Sequence, residues 1–303
     1  LSNSQLLVEF EFLMRSDDFL RVMTRSSQLA SIASRSADPR GLMVDLKSFS
    51  EGGAFSSLLV MESLAAVKDR SADQQLIALL AHPFQLVRRH ATWLLGRRKP
   101  IASAFGPLVE QLAVGGIDSM HAFRTLRRWS TASPDGIRAH LAGALESVDD
   151  GHVRARLVDL LGSLKHSNEL LVRLAADSGE ALAARIAAIG ALGDRPGSNS
   201  RATLQRLAGA EDVIGTHAAL ALSDLEVFKA PPAQCSNAGL RIAQLVLAAG
   251  LDGKLSRGGL GDTGGVASLL VSLGEALACR PEVDHVLTIG RGTLADSLSN
   301  PGY

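Results

Sequence analysis

Leu86-Val-Arg-Arg-His-Ala-Thr-Trp-Leu-Leu-Gly96 returns in altered form as His152-Val-Arg-Ala-Arg-Leu-Val-Asp-Leu-Leu-Gly162, and again within Ala181-Leu-Ala-Ala-Arg-Ile-Ala-Ala-Ile-Gly-Ala-Leu-Gly193. Weaker copies are Asp118–Trp129 and Ile214–Leu225. Aligned, they put Val87, Asp118, Val153, Leu182 and Ile214 in register, with neighbouring anchors 29 to 35 residues apart. Apolar residues within each copy fall three and four positions apart, the spacing of one helical face. A second short apolar helix precedes each copy: Gln75–Leu80, Pro107–Val114, Ile137–Leu145, Glu169–Ala176 and Ala202–Ala208.

A two-helix unit recurring at this period predicts an α-solenoid over residues 71–226, because one unit cannot bury its own apolar face and must stack on the next. The Val-Arg-x-x-Ala-x-x-x-Leu-Gly pattern resembles HEAT-like repeats at the short end of their length range. Small residues at Ala91, Ala122 and Ala218 permit close helix approach, and Trp93 and Trp129 read as core. Arg88 and Arg154 occupy the position at which HEAT-like repeats carry a structural arginine. Three residues past each anchor stand His90, His121, Arg156, Arg185 and His217. Stacked repeats turn such a set into a ladder. It is either a basic ridge for a protein partner or an acceptor substrate, or a set of hydrogen bonds to neighbouring carbonyls and acids such as Asp159 or Asp224.

Toward the N-terminus, Gln5–Arg15, Asp17–Ala33, Leu42–Phe49 and Ala54–Val67 also carry helical spacing, with Asp17-Asp18 suited to a helix's first turn. No useful strand-like alternation occurs in the first two hundred residues. Residues 1–229 therefore read as one helical repeat domain. Pro231-Pro232 cannot lie inside a helix, so residues 230–238 read as a linker and residues 239–303 as a separate α/β segment.

That segment contains Leu240–Leu247, an apolar run that reads as a buried strand, then Ser256-Arg-Gly-Gly-Leu-Gly-Asp-Thr-Gly-Gly265. A helix follows from Val266 to Leu277, then a second strand, Val283–Ile289. Strand, glycine-rich loop and helix bring bare backbone N–H groups to a helix N-terminus, where the macrodipole favours an anion such as phosphate.

Asp262-Thr-Gly-Gly265, the helix behind it and the Val283–Ile289 strand resemble the opening of the N-terminal Rossmann-like domain in family-4 retaining glycosyltransferases of the sucrose synthase and sucrose-phosphate synthase type. The resemblance covers about residues 238–292. It implies a two-Rossmann-domain (GT-B) enzyme using a nucleotide-diphosphate sugar as donor. Gly259, Gly261, Gly264 and Gly265 would form the loop against the donor's diphosphate and sugar, with Asp262 and Thr263 shaping its turn. Val266 stands where those sucrose enzymes carry Gln, which removes a polar contact to the sugar and speaks against sucrose formation. Gly259–Gly264 also fits the dinucleotide pattern G-x-G-x-x-G, but residues 248–258 separate strand from glycines, and the acid near the distance expected for a ribose partner, Asp284, stands at the start of the second strand.

Thirty-one basic and 31 acidic side chains leave no formal net charge, and aromatics are only 4% of residues. Neither suits a nucleic-acid or anionic-membrane binder, which relies on basic excess and stacking platforms. The histidines show no metal-binding spacing, and no G-x-S-x-G elbow occurs. Two cysteines, Cys235 and Cys279, without a C-x-x-C pair fit a reducing cytoplasm. No run of about 18 apolar residues suggests a transmembrane helix. Two strands are too few for a Rossmann-like sheet. The expectation is the N-terminal portion of a longer glycosyltransferase, inactive alone, whose helical repeats bind an acceptor or a protein. The alternative is a non-catalytic HEAT-like scaffold.

Overall fold

The computed structural model describes residues 3–16, 18–50, 54–227, 239–246 and 264–290. The chain is mainly α, and its described residues form fifteen α-helices and two short parallel strands. They divide into two compact units, Leu1–Ala191 and Leu192–Tyr303. The 230–238 boundary expected from Pro231-Pro232 lies outside the described residues.

The first unit holds α1 (Asn3–Met14), α2 (Phe19–Ala33), α3 (Pro39–Ser50), α4 (Ala54–Ala66), α5 (Arg70–Ala78), α6 (Gln85–Gly96), α7 (Phe105–Val114) and α8 (Gly116–Trp129). It continues through α9 (Pro134–Ser147), α10 (Gly151–Gly162) and α11 (Asn168–Ala176) into most of α12 (Leu182–Gly193). Helix starts follow local chemistry. Asp18, Asp69 and Asp150 cap α2, α5 and α10 by accepting from the backbone N–H of Arg21 (3.0 Å), Ser71 (2.8 Å) and Val153 (2.9 Å). Pro134 opens α9, where its missing N–H costs nothing. Gly115 and Gly116 turn the chain between α7 and α8 at φ 88° and 65°, a region side chains with a Cβ resist.

Packing repeats with the sequence. Helix α6 lies against α4 and α8, α8 against α10, and α7 against both α8 and α9. Val87, Ala91, Leu94 and Leu95 of α6 are wholly buried, and the same register buries Asp118, Ala122, Thr125 and Leu126 in α8. It also buries Leu157, Leu160 and Leu161 in α10. Helix α4 carries it too, in Ser56, Val60, Ser63 and Leu64, so the pattern begins before residue 71.

One anchor is displaced. Leu182 is 52% exposed, whereas Ala184, Ala188 and Ile189 are fully buried, so Ala184 takes the anchor place in α12. Arg185 thereby aligns with Arg88 and Arg154, not with His90, His121 and Arg156. The cause is composition: Leu182–Gly193 is apolar almost all round, so its periodicity selects no single face.

Those three arginines share a task. Arg88 donates to the carbonyls of His82 and Pro83 (2.8 Å each), Arg154 to Val148 (2.7 Å) and Leu145, and Arg185 to Ala175 (3.4 Å). Arg154 and Arg185 satisfy carbonyls left open where the preceding helix ends, and Arg88 binds those of the turn just before α6.

Gly96 and Gly162 end α6 and α10 at matching positions. A Cβ at Gly96 would come within 2.6 Å of Thr125 Oγ1, and one at Gly162 within 2.6 Å of the Ala191 methyl. Gly162→Val is expected to cost about 1–3 kcal/mol by overpacking, read as a lowered urea midpoint. An unchanged midpoint would show that the two helices slide apart freely.

In the second unit, α13 (Ser198–Ala208) packs on α14 (Val213–Val227). Strands β1 (Leu240–Val246) and β2 (Val283–Gly290) pair in parallel, from Arg241 opposite His285 to Val246 opposite Gly290. Between them runs α15 (Gly264–Ala278), which packs on β2. Gly274 makes that close seat possible, since a Cβ there would lie 2.8 Å from the Gln244 side-chain amide. With its amide oriented to fit both partners, Gln244 donates to Leu270 O (3.3 Å) and accepts from Gly274 N (3.2 Å).

Candidate functional site

The first site predicted is the glycine-rich turn. Gly259, Gly261, Asp262 and Thr263 lie outside the described residues, while Gly264 and Gly265 open α15. Two parallel strands joined through one helix require that helix to run back along the sheet. The start of α15 therefore lies past the carboxyl ends of β1 and β2, where open α/β sheets bind ligands. A Cβ built on Gly265 meets nothing within 4 Å among the described residues, which leave the first turn open. The first four N–H groups of any helix have no intrahelical acceptor, and here they sit at the positive end of a 15-residue helix. Asp284 is exposed at the amino end of β2, six residues and roughly 20 Å from the carboxyl end. It cannot serve a ribose bound beside Gly264.

The second prediction was the ladder of His90, His121, Arg156, Arg185 and His217. Arg156 donates to the carbonyls of Leu112 (3.3 Å) and Ala113 (2.6 Å) at the end of α7. Arg185 caps α11, as described above. Both thus make the backbone bonds that were the other outcome open to them. His121 and His217 are half-buried on α8 and α14.

His90 belongs to a different arrangement. Its ring stacks on Trp93, with centroids 5.5 Å apart and planes 24° apart. The Arg97 guanidinium carbon lies 4.9 Å from the Trp93 ring centroid. Glu62 of α4 faces both side chains, 3.5 Å from His90 Nε2 and 3.6 Å from Arg97 Nη1. The His90 hydrogen bond, aided by the charge of Arg97, holds the Glu62 carboxyl below its ordinary value against the opposing effect of burial.

Trp93 itself corrects an expectation. It reads as core in the sequence, yet it is 44% exposed, while Trp129 is 2% exposed. The buried side of α6 is already filled by Val87, Ala91, Leu94 and Leu95 against α4 and α8, and Trp93 lies outside that stripe.

The chain matches no family model and no curated relative.

An open pocket of about 520 Å³ is lined by residues including Leu7 and Glu11 of α1, Arg15 just after it, Asp45 of α3 and Ser56 of α4. No motif could have announced it, because its lining comes from helices distant in sequence. Among the described residues no group of three or more His, Cys, Asp or Glu side chains could hold a metal ion, and no helix is long and apolar enough to cross a membrane. Cys279 is exposed, and Cys235 lies outside the described residues.

Proposed function

We propose that this chain is part of a retaining, nucleotide-sugar-dependent glycosyltransferase of cytoplasmic location, with its helix pairs forming a HEAT-like α-solenoid that binds an acceptor or a protein. The observation that carries the reading is the parallel β1–α15–β2 unit whose helix starts at Gly264-Gly265, directly after the glycine-rich run. Leu245 and Ile289, paired across the strands, are 63% and 40% exposed, an apolar sheet face of the kind that a complete Rossmann-like domain covers. The helix-start amides would hold the donor's diphosphate through fixed N–H dipoles, an electrostatic share of the chemistry. The second reading, a non-catalytic scaffold, draws on the exposed Trp93 cluster.

Titration of the isotopically labelled chain with UDP-glucose tests the donor reading. Amide shifts are expected to centre on Gly259–Gly265, with weak affinity, a Kd of about 1 mM. Gly265→Leu should weaken that binding about tenfold without lowering thermal stability, because the added side chain enters open space. Failure of UDP-glucose to perturb those amides, or an unchanged affinity in the variant, would overturn the reading.

A further inference from the structure

We propose that the exposed face of α6 and α8 centred on Trp93 is a docking site for an acidic peptide segment bearing apolar side chains. The inference rests on the repeats being a binding module and is independent of the sugar-nucleotide reading.

The Trp93 side chain is held in place before any partner arrives. His90 and Arg97, three residues before it and four after it, contact its ring, and Glu62 from the neighbouring helix faces both. A large aromatic kept 44% exposed by such a clamp can be covered with little further loss of side-chain freedom. Trp and Arg are the residue types that most often dominate interface energetics.

The repeat register sets the surroundings. Helices α6 and α8 pack side by side, with Val87 matching Asp118 and Ala91 matching Ala122. Arg124 therefore takes the place of Trp93 on α8, and Arg128 that of Arg97. Both are exposed. Toward the helix starts the same face turns apolar, with Leu86 60% and Met120 53% exposed. Arg97 and Arg128 thus stand at one end of the face, apolar side chains at the other, and Trp93 and Arg124 between them.

Charge selects the occupant. Glu62 is already engaged by His90 and Arg97. Asp118 is buried and held by Arg89 and Gln85. Arg97 shares Glu62 with His90, whereas Arg124 and Arg128 are exposed and have no ion pair among the described residues, on a chain with no net charge. Carboxylates would be drawn to that end, and apolar side chains to Leu86, Met120 and the indole. Single-stranded nucleic acid fits less well. A base would have to displace His90 or Arg97 from the Trp93 ring, and three arginines make a short phosphate track.

Fluorescence anisotropy with a labelled twelve-residue peptide alternating Glu with Leu and Phe tests the proposal on the whole chain. Measurable binding is expected at low salt, falling as salt screens the charges. Trp93→Ala and the double variant Arg124→Glu/Arg128→Glu should each weaken it at least about tenfold. The arginine variant guards against misfolding, since both side chains are exposed and its melting temperature should match the parent's. Arg138→Glu on α9, outside this face, should leave binding unchanged. The proposal is overturned if the parent chain does not bind the peptide, if either face variant binds as the parent does, or if a Lys-for-Glu peptide or oligo-dT binds as tightly. UDP-glucose shifts unaltered in the face variants would keep the two readings separable.

Discussion

Trp129→Ala is expected to destabilise the chain by about 3–5 kcal/mol, the range for emptying a large buried aromatic site. Trp129 is 2% exposed at the end of α8, and its ring lies 6.0 Å from that of Phe105 at a 58° tilt. Its indole N–H donates to the Arg98 carbonyl at 2.9 Å, and Arg98 in turn donates to the carbonyls of Leu64 (3.2 Å), Ala65 (3.1 Å) and Val67 at the end of α4. The two side chains hook α8 to α6 and α6 to α4, so the lost volume also unfastens a sequence of helix ends. Trp129→Phe separates the effects. It keeps much of the packing but leaves the Arg98 carbonyl without its donor, a loss of about 1–3 kcal/mol. Urea unfolding followed by circular dichroism measures both. A deficit under about 1 kcal/mol for the alanine variant would mean that the site collapses around the gap, contrary to this description of the core.

Arg154→Ala should cost a similar amount, about 3–5 kcal/mol, because removing one partner of a buried pair strands the other. The Arg154 side chain is 17% exposed and that of Glu180 only 4%. Arg154 binds Glu180 through Nε at 2.6 Å and through Nη2, while its Nη1 caps α9 at Leu145 and Val148. The alanine variant loses the caps and leaves a buried carboxylate with one remaining bond among the described residues, from the Ala181 N–H at 2.8 Å. Replacing both partners by apolar residues should be much milder. The pair also predicts acid sensitivity. The Arg154 hydrogen bond holds the Glu180 carboxyl below its ordinary value of 4.5, although burial opposes it. Its contribution is therefore complete above the unfolded value and is lost as pH falls through the lowered folded one. In Glu180→Gln the acid side of the stability profile should be shallower. An identical profile in that variant would show that the pair does not couple to protons.

These two side chains divide on how they could be foreseen. Arg154 belongs to a sequence pattern shared with Arg88, and the common spacing from each helix start put both where they bind carbonyls just before their own helix. Glu180 carries no such mark, since it comes from the turn before α12 and meets Arg154 only when α10 is in place. Asp118 was harder still. It occupies an anchor that other copies fill with an apolar residue, and it is tolerated there because Arg89 and Gln85 reach it from α6. Of the proposed donor loop, the helix start at Gly264-Gly265 and the strands on either side were legible, while the positions from Gly259 to Thr263 lie outside the described residues. The Trp93 cluster was invisible as a unit, although His90 itself had been singled out.

Helical class, the period of the helix pairs and the β1–α15–β2 order came from the residues alone, because local spacing, caps, prolines and glycines act over a few positions of one chain. Which side of a helix meets its neighbour is another matter. Trp93 and Trp129 lie on similar helices, and only packing against α4, α6 and α8 leaves one exposed and buries the other. Leu182 and Ala184 were likewise interchangeable in a helix apolar nearly all round. Burial is a property of pairs of surfaces, and a single segment specifies only its own half of each pair.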